Sequence, residues 1–417
     1  MLQQQAPRSD AARALLWRET ASTMLARPRP AARNTHGVLT DLGRRAHWST
    51  GSFPAVGVLA LFRDEAMYLT EWLTHYAAEG VTQFVLLDQS SADNGVELVL
   101  RFAQQHPWLN VSLHAAPEPR QQNRHYARHL HRLTTDWVLI VDIDEFVYAR
   151  LEFATLPQYL LNLTRVQPAA GMVAIPWKVF GAFTKKAYQI MHPVSVISNL
   201  TLRHSIGRNK YPLGTVEYKS LLRLSALRAH LGLAPAASLV EDVLPKGPSS
   251  SPELHLHHAV EGLRTVLPDG TELDRHRARA TAGSQRDGRR PAKVTNLTEQ
   301  IINAWPVHLN HYRLGSCEFW YRVKLMRGDA ADLGPRGSGL VGRDWSVFRE
   351  INRYASREED LELRGKRGGT SWAASLAVVH REWPRYVSRR RDPANGGRSL
   401  RARSVPPDCQ RALEGVS

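Results

Sequence analysis

The sequence predicts an α/β protein built on a mostly parallel sheet with helices on both faces. Three observations carry this. Short apolar runs alternate with helical patterns from Val56 to Asp144, one run (Trp137 to Val141) is apolar throughout, and three of the runs end in acidic residues. A wholly apolar run marks a central strand buried on both faces. Acids just past strand ends stand where open parallel sheets bind ligands.

Taken in order, the first strand is VGVLALF, Val56 to Phe62. A helix follows with Tyr68, Leu69, Trp72, Leu73 and Tyr76 on one stripe, and Gly80 stops it. A second strand covers Phe84 to Leu87 and ends in Asp88 and a Ser-Ser-Ala-Asp-Asn-Gly turn. Next come a helix over Val96 to Gln105, a strand over Val111 to His114 and a helix over Asn123 to Leu133. The apolar strand then runs into Asp142-Ile143-Asp144-Glu145-Phe146. Beyond it the pattern gives a helix over Phe153 to Leu163, a strand over Met172 to Pro176, and mixed short strands and loops over residues 190 to 320. Helices are expected at Cys317 to Met326, Trp345 to Tyr354 and Ser371 to His380.

Composition narrows the function. Over 417 residues, 43% hydrophobic content and 11 Trp exclude a largely disordered chain, and 28 Gly with 24 Pro exclude a collagen-like one. The net charge of +16 points to an anionic partner: nucleic acid, anionic lipid or a phosphorylated small molecule. Residues 1 to 50, with eight Arg against three acids, and residues 380 to 417, with nine Arg against four, each hold +5 of it. A further basic stretch, Arg275 to Lys293, reads as a surface loop. Cations gathered in tails, with no recognised binding motif, argue against a nucleic-acid partner and leave peripheral contact with an anionic membrane as the tails' expected role.

Cys317 and Cys409 lie far apart without a CxxC partner, so neither a disulfide framework nor a cysteine zinc site is expected, and a reducing compartment fits. No run of about 18 apolar residues predicts a spanning helix. The Arg-bearing N-terminus lacks the apolar core of a secretory signal, although an organellar transit segment is compatible with it. The expected location is cytoplasmic or peripheral to a membrane, with a Golgi lumen the alternative if an N-terminal anchor exists. The four Asn-x-Ser/Thr sequons, at Asn110, Asn162, Asn199 and Asn296, would matter only in that lumen.

Two carboxylates at i and i+2, placed as an apolar strand ends, can direct oxygens to one side and hold a hard divalent cation, Mn²⁺ or Mg²⁺, that bridges diphosphate oxygens. Asp142 and Asp144 form that pair, and Glu65 and Asp88 stand at the two neighbouring strand ends. A haloacid-dehalogenase-type phosphatase also uses Asp-x-Asp after an apolar strand. Its motif wants Thr or Val two positions after the second Asp, where this chain has Phe146.

From Val56 to about Ala330 the chain resembles the GT-A glycosyltransferases related to family 2, and most closely family 92. Six blocks carry the resemblance: Phe62 to His75 (FRDEAMYLTEWLTH), Gly80 to Asp93, Gln122 with Tyr126 and Leu130, Trp137 to Phe146 (WVLIVDIDEF), Trp177 to Gly181 (WKVFG) and His311 to Gly328. It implies a GT-A (Rossmann-like) sheet with an irregular α+β acceptor lobe, and a metal-assisted, inverting transfer of a sugar from a nucleotide-sugar donor to a glycan or lipid-linked acceptor. In that scheme residues 51–330 form the catalytic domain, 51–150 its nucleotide-binding half and 151–330 its acceptor half. Composition and pattern, outside the resemblance, make segments 1–50 and 381–417 expected basic tails without order and 331–380 an expected helical extension. The metal ligands would be Asp142, Asp144 and His311. Arg63, Glu65, Asp88, Gln122 and Asp142 would bind the donor.

Inverting transfer needs a carboxylate to accept the acceptor's proton. Glu145 and Asp242 are the candidates taken forward, with Glu217 and Glu241 beside them. The sequence departs from the family in having Asp64 after Arg63 and Ala-Phe-Thr-Lys-Lys after Gly181, both of which bear on acceptor recognition. His255 and His257, on one face of a strand, are a second candidate ligand pair with a polar strand face as the plain alternative, and His258 is the substitute for His311. Lys219, Arg313, Lys324 and Arg327 are cations that could meet phosphate, or ordinary surface charges. Trp177 and Trp320 are sugar-stacking or core tryptophans.

Overall fold

The structure, a computed structural model, describes residues 53–118, 121–181, 195–206, 217–232, 262–273, 294, 297–325, 345–355, 358–368 and 409. Outside these fall the two tails apart from Cys409, the Arg275 to Lys293 stretch, His255, His257, His258, Glu241, Asp242, Arg327, Asn296 and the expected helix at Ser371 to His380.

The first half follows the apolar pattern closely. Strand β1 (Val56–Phe62), helix α1 (Ala66–Ala78), β2 (Val81–Asp88), α2 (Gly95–Gln105), β3 (Asn110–Ala115), α3 (Gln122–His129) and β4 (Trp137–Ile140) alternate in order. The four strands pair in parallel in the order β3-β2-β1-β4, the nucleotide-binding arrangement of doubly wound sheets. Because parallel crossovers are right-handed, the reversal between β3 and β4 puts α1 and α2 on one face and α3 on the other. Strand β4, expected to be central, lies between β1 and an antiparallel strand at Tyr218–Arg223, with all four of its residues buried. Helix α1 buries every residue from Ala66 to Tyr76 and ends where Gly80 adopts φ +87°, a conformation that disfavours any side chain.

After β4 come β5 (Glu145–Ala149), α4 (Leu156–Val166), β6 (Met172–Val179), α5 (Val196–Asn199), β7 (Leu202–Arg203), β8 (Tyr218–Arg223), α6 (Leu224–His230), β9 (Thr265–Val266), α7 (Glu299–Asn303) and β10 (Val307–His311). Strand β8 inserts antiparallel between β4 and β6, and β10 runs parallel to β6 and antiparallel to β5, which continues the same sheet. The sheet is therefore parallel in its first half and mixed in its second. Helix α8 (Cys317–Phe319) starts where expected but widens into a π-helical turn over Trp320–Leu325. Helix α9 is Trp345–Tyr354, as expected. Strand β11 (Glu358–Glu359) pairs with β7, and α10 (Glu362–Lys366) follows.

The last segment is held by buried charge. Lys178 Nζ lies 2.8 Å from Asp360 Oδ2, and that oxygen also accepts from Arg203 Nε at 2.8 Å. Tyr148 donates to Glu362 at 2.9 Å, and Glu79 takes both Lys366 and Arg367.

Cys317 and Cys409 form a disulfide across 92 positions, which corrects the expectation of free thiols. Distance along the sequence had argued against the bond, but the fold brings the Cα atoms to 5.5 Å. No helix among the described residues is long and apolar enough to cross a membrane.

Candidate active site

The loops after β1 and β2 are tied to each other. Asp64 N–H donates to Ser91 Oγ at 3.0 Å and the Asp64 carboxylate accepts from Ala92 N–H. Ala66 N–H donates to Asp93 Oδ2 at 2.8 Å, and Asp88 Oδ1 accepts from Ser91 N–H at 3.0 Å. Asp64 and Ser90 take left-handed backbone at φ 51° and 58°, so the two turns are held against local preference by these bonds. Burial raises the Asp88 carboxyl and pushes Asp93 up to about 7. Arg63, Glu65 and Asp88, the expected donor contacts, thus stand together at the adjoining ends of β1 and β2, where Phe62 and Asp88 are paired in register.

The turn from β4 to β5 is fastened on every side. Trp72 Nε1 donates to the Asp142 carbonyl at 3.0 Å, and Asp142 N–H donates to Glu145 Oε2 at 3.0 Å. The Asp142 carboxylate accepts from Gln122 Nε2 at 3.0 Å through Oδ1 and from Lys219 Nζ at 2.7 Å through Oδ2. Lys219, fully buried on β8, also reaches Glu145 Oε2 at 3.1 Å. Burial alone would lower the Lys219 ammonium, but Asp142 and Glu145 hold it above its ordinary value.

Asp144 is buried, and two cationic or ionisable groups meet it. Lys324 Nζ is 2.8 Å from Oδ2, and His311 Nε2 is 3.5 Å from Oδ1. Burial opposes the charge on Asp144, yet Lys324 and His311 hold its carboxyl well below the usual range. Strand pairing delivers His311, which lies opposite Glu145 in the β10–β5 register, and Tyr312 N–H donates to the Asp144 carbonyl at 2.8 Å. The Trp177 ring meets the His311 ring edge-on at 4.4 Å, which makes it a wall of the site. Trp320 is buried against Phe348, so it belongs to the core.

The segment that carries Lys324 is clamped to α1. Ser316 N–H donates to the Tyr68 hydroxyl at 3.3 Å, and the Tyr68 and Phe319 rings stack at 4.2 Å. Gly315 lies so close that a Cβ there would sit 2.2 Å from that hydroxyl.

Glu145, the first sequence candidate for the base, has no solvent exposure. Its Oε2 is committed to the turn, and burial pushes the carboxyl up to about 8. Glu145 Oε1 and His311 Nδ1 face each other at 3.9 Å, beyond hydrogen-bond reach, and neither has another partner among the described residues. The second candidate, Asp242, lies outside those residues.

No set of three or more His, Cys, Asp or Glu side chains among the described residues converges into a metal cage. The three expected ligands divide: Asp144 and His311 meet, while Asp142 turns to Gln122 and Lys219. One carboxylate with one imidazole still fits a divalent ion that arrives with a diphosphate, because Mg²⁺-type ions take few protein ligands and fill the rest of their shell with phosphate oxygens and water.

Residues 55–227 match the model of glycosyltransferase family 92. A glycosyltransferase family 92 protein of Oryza sativa subsp. japonica is 26% identical over 233 residues, 55% of this chain and 34% of that one, so the match spans about a third of the relative's length. Likenesses among solved structures are slighter. A mannosyltransferase from Pyrobaculum calidifontis, in complex with GDP-Man and Mn²⁺, shows 18% identity and a TM-score of 0.28, over 63% of this chain and 65% of that one. Staphylococcus aureus TarS 1-349, in complex with UDP, shows 16% identity and a TM-score of 0.28, over 42% and 48%. At that level neither likeness carries an argument.

The sequence singled out Asp142, Asp144, Gln122 and His311, and the fold joins them. It named Lys219 and Lys324 among four cations that could meet phosphate but did not place them against Asp142 and Asp144, and it did not single out Trp72 from the other core aromatics, since pairing across 77, 180 and 70 positions leaves no periodic signal.

Proposed function

We propose that the protein transfers a sugar from a nucleotide-sugar donor to a hydroxyl of a glycan or lipid-linked acceptor, with inversion at the anomeric carbon and with help from Mn²⁺ or Mg²⁺. One observation carries the reading. At the carboxyl end of the central strand, Asp144 Oδ1 lies 3.5 Å from His311 Nε2, beside the tied loops that end β1 and β2. A divalent ion held by Asp144 and His311 would neutralise charge on the departing diphosphate.

The chain's own residues do the rest. Gln122 and Lys219 orient Asp142, whose side chain keeps 34% exposure and so remains open to a donor ribose. Arg63, Glu65 and Asp88 line the nucleoside end. Glu145 fixes the turn rather than meeting an acceptor, because its carboxyl is buried and bonded beneath Asp142. The acceptor's proton therefore goes to another carboxylate, and Asp242, Glu241 and Glu217 are the sequence's remaining candidates.

The disulfide supports an oxidising compartment rather than the reducing one expected at first. Contact of the basic tails with an anionic membrane surface fits their charge and stands beside that reading. A haloacid-dehalogenase phosphatase reading stays disfavoured because Phe146, which stands where that motif wants Thr or Val, is fully buried.

The test is calorimetric titration of the full chain with UDP- and GDP-sugars, with and without MnCl₂, alongside Asp144→Asn. Saturable Mn²⁺-dependent binding that the variant loses supports the reading, and no binding of any nucleotide sugar overturns it.

A further inference from the structure

We propose that Lys324 is the residue that receives the leaving diphosphate. The proposal rests on the glycosyl-transfer reading and deepens it. Two ammonium groups meet the acidic turn, and they differ in what they have left to give. Lys219 is fully buried and spends its charge on two carboxylates, Asp142 at 2.7 Å and Glu145 at 3.1 Å. Lys324 is 7% exposed and has one hydrogen-bond acceptor among the described residues, Asp144 Oδ2 at 2.8 Å; its other near neighbour is the face of Phe319, 5.3 Å from the ring centroid. An ammonium has three N–H donors, so two of those on Lys324 have no acceptor among the described residues and can take incoming oxygens.

Its position decides their use. Lys324 and His311 approach opposite oxygens of one carboxylate. Asp144 and His311 would hold a dication that neutralises phosphate charge, and Lys324, on the other oxygen of the carboxylate, would turn its N–H groups to the phosphate oxygens bound there. In the transfer, the acceptor oxygen bonds to the anomeric carbon while the bond from that carbon to the diphosphate oxygen breaks. The electron pair leaves on the diphosphate, where the Lys324 N–H groups meet it, and the acceptor's proton passes to the general base. A cation aimed at charge that grows in the transition state lowers the barrier. The clamp of Ser316 and Phe319 on Tyr68 holds the lysine's segment at that place.

The test uses the full chain as wild type, Lys324→Met, Lys324→Gln and Lys324→Arg, titrated with UDP and GDP and with UMP and GMP in MnCl₂. Thermal melts report folding, and electron paramagnetic resonance reports Mn²⁺ affinity without nucleotide. Diphosphate affinity is expected to fall about tenfold or more in the Met and Gln variants, while monophosphate affinity changes less than about twofold and Arg restores most of the loss. Nucleotide-free Mn²⁺ is expected to bind more tightly to the Met variant, since the competing ammonium is gone. Diphosphate affinity unchanged in both neutral variants, against a wild type that binds, overturns the assignment of Lys324 alone. A wild type that binds no nucleotide overturns the glycosyl-transfer reading and this assignment with it.

Discussion

The indole N–H of Trp72 donates to the carbonyl oxygen of Asp142 at 3.0 Å, across 70 positions of sequence. Helix α1 thereby fixes the backbone on which Asp142 and Asp144 are mounted. Trp72→Phe keeps an aromatic ring in the core but removes one of the two hydrogen bonds that carbonyl accepts, the other coming from Glu145 N–H at 3.1 Å, at a cost of about 0.5 to 1.5 kcal/mol before any cavity is counted. Donor affinity is expected to fall together with stability, as measured by titration and urea unfolding. Wild-type affinity in the variant would show that the turn holds itself.

Lys219 sits fully buried between Asp142 and Glu145. Removing one partner of a buried ion pair leaves charge without compensation, so Lys219→Met should cost about 3 to 5 kcal/mol. Above about pH 8, where the Glu145 carboxyl ionises, Glu145→Gln in the same chain should recover part of the loss, because it removes one of the stranded charges. A double-mutant cycle by chemical denaturation measures this, and strictly additive losses would contradict the coupling.

What the sequence could show divides at Asp142. Upstream, strands buried on both faces and helices with one apolar stripe leave periodic signals, so β1, α1, β2, α2, β3 and β4 were legible within a few residues. The acidic turn was legible because two Asp follow five apolar residues. Downstream, β5 follows the turn without a separator, and β8 enters antiparallel beside β4 from 77 positions away at Lys219. Such pairings are set by the assembled sheet, and no local pattern announces them. Cys317 and Cys409 meet for the same reason, and spacing alone misread them.

The far end of the fold should be acid-labile. Burial would raise the Asp360 carboxyl, but Lys178 and Arg203 hold it down at about 2, against an ordinary value of 3.8. A carboxyl depressed in the fold contributes stability above its unfolded value and loses it as pH falls through the folded one. Stability from this group is therefore expected to decline between about pH 4 and pH 2, and Asp360→Asn should flatten that limb of the curve while lowering stability at neutral pH. Thermal melts from pH 2 to 7 check it, and parallel curves for the two proteins would contradict it.

The disulfide joins the start of the Lys324-bearing segment to Cys409. Cross-links that close loops of this length contribute roughly 2 to 5 kcal/mol. Cys409→Ser, or reduction of the wild type, should lower stability by that order and weaken nucleoside diphosphate binding through Lys324. Denaturation with and without reductant tests the first effect and titration the second; indifference of both to reductant would count against the tether.

The central claim is that Asp144 and His311 hold a divalent ion that arrives with a nucleotide sugar. The most direct measurement is Mn²⁺ electron paramagnetic resonance of the full chain during titration with UDP- and GDP-sugars, for wild type, Asp144→Asn and His311→Ala. The account predicts a protein-bound Mn²⁺ signal that strengthens as one of the donors is added to wild type and that drops by an order of magnitude or more in both variants. A donor-dependent signal of wild-type size in both variants, or none in wild type with any donor, would contradict it.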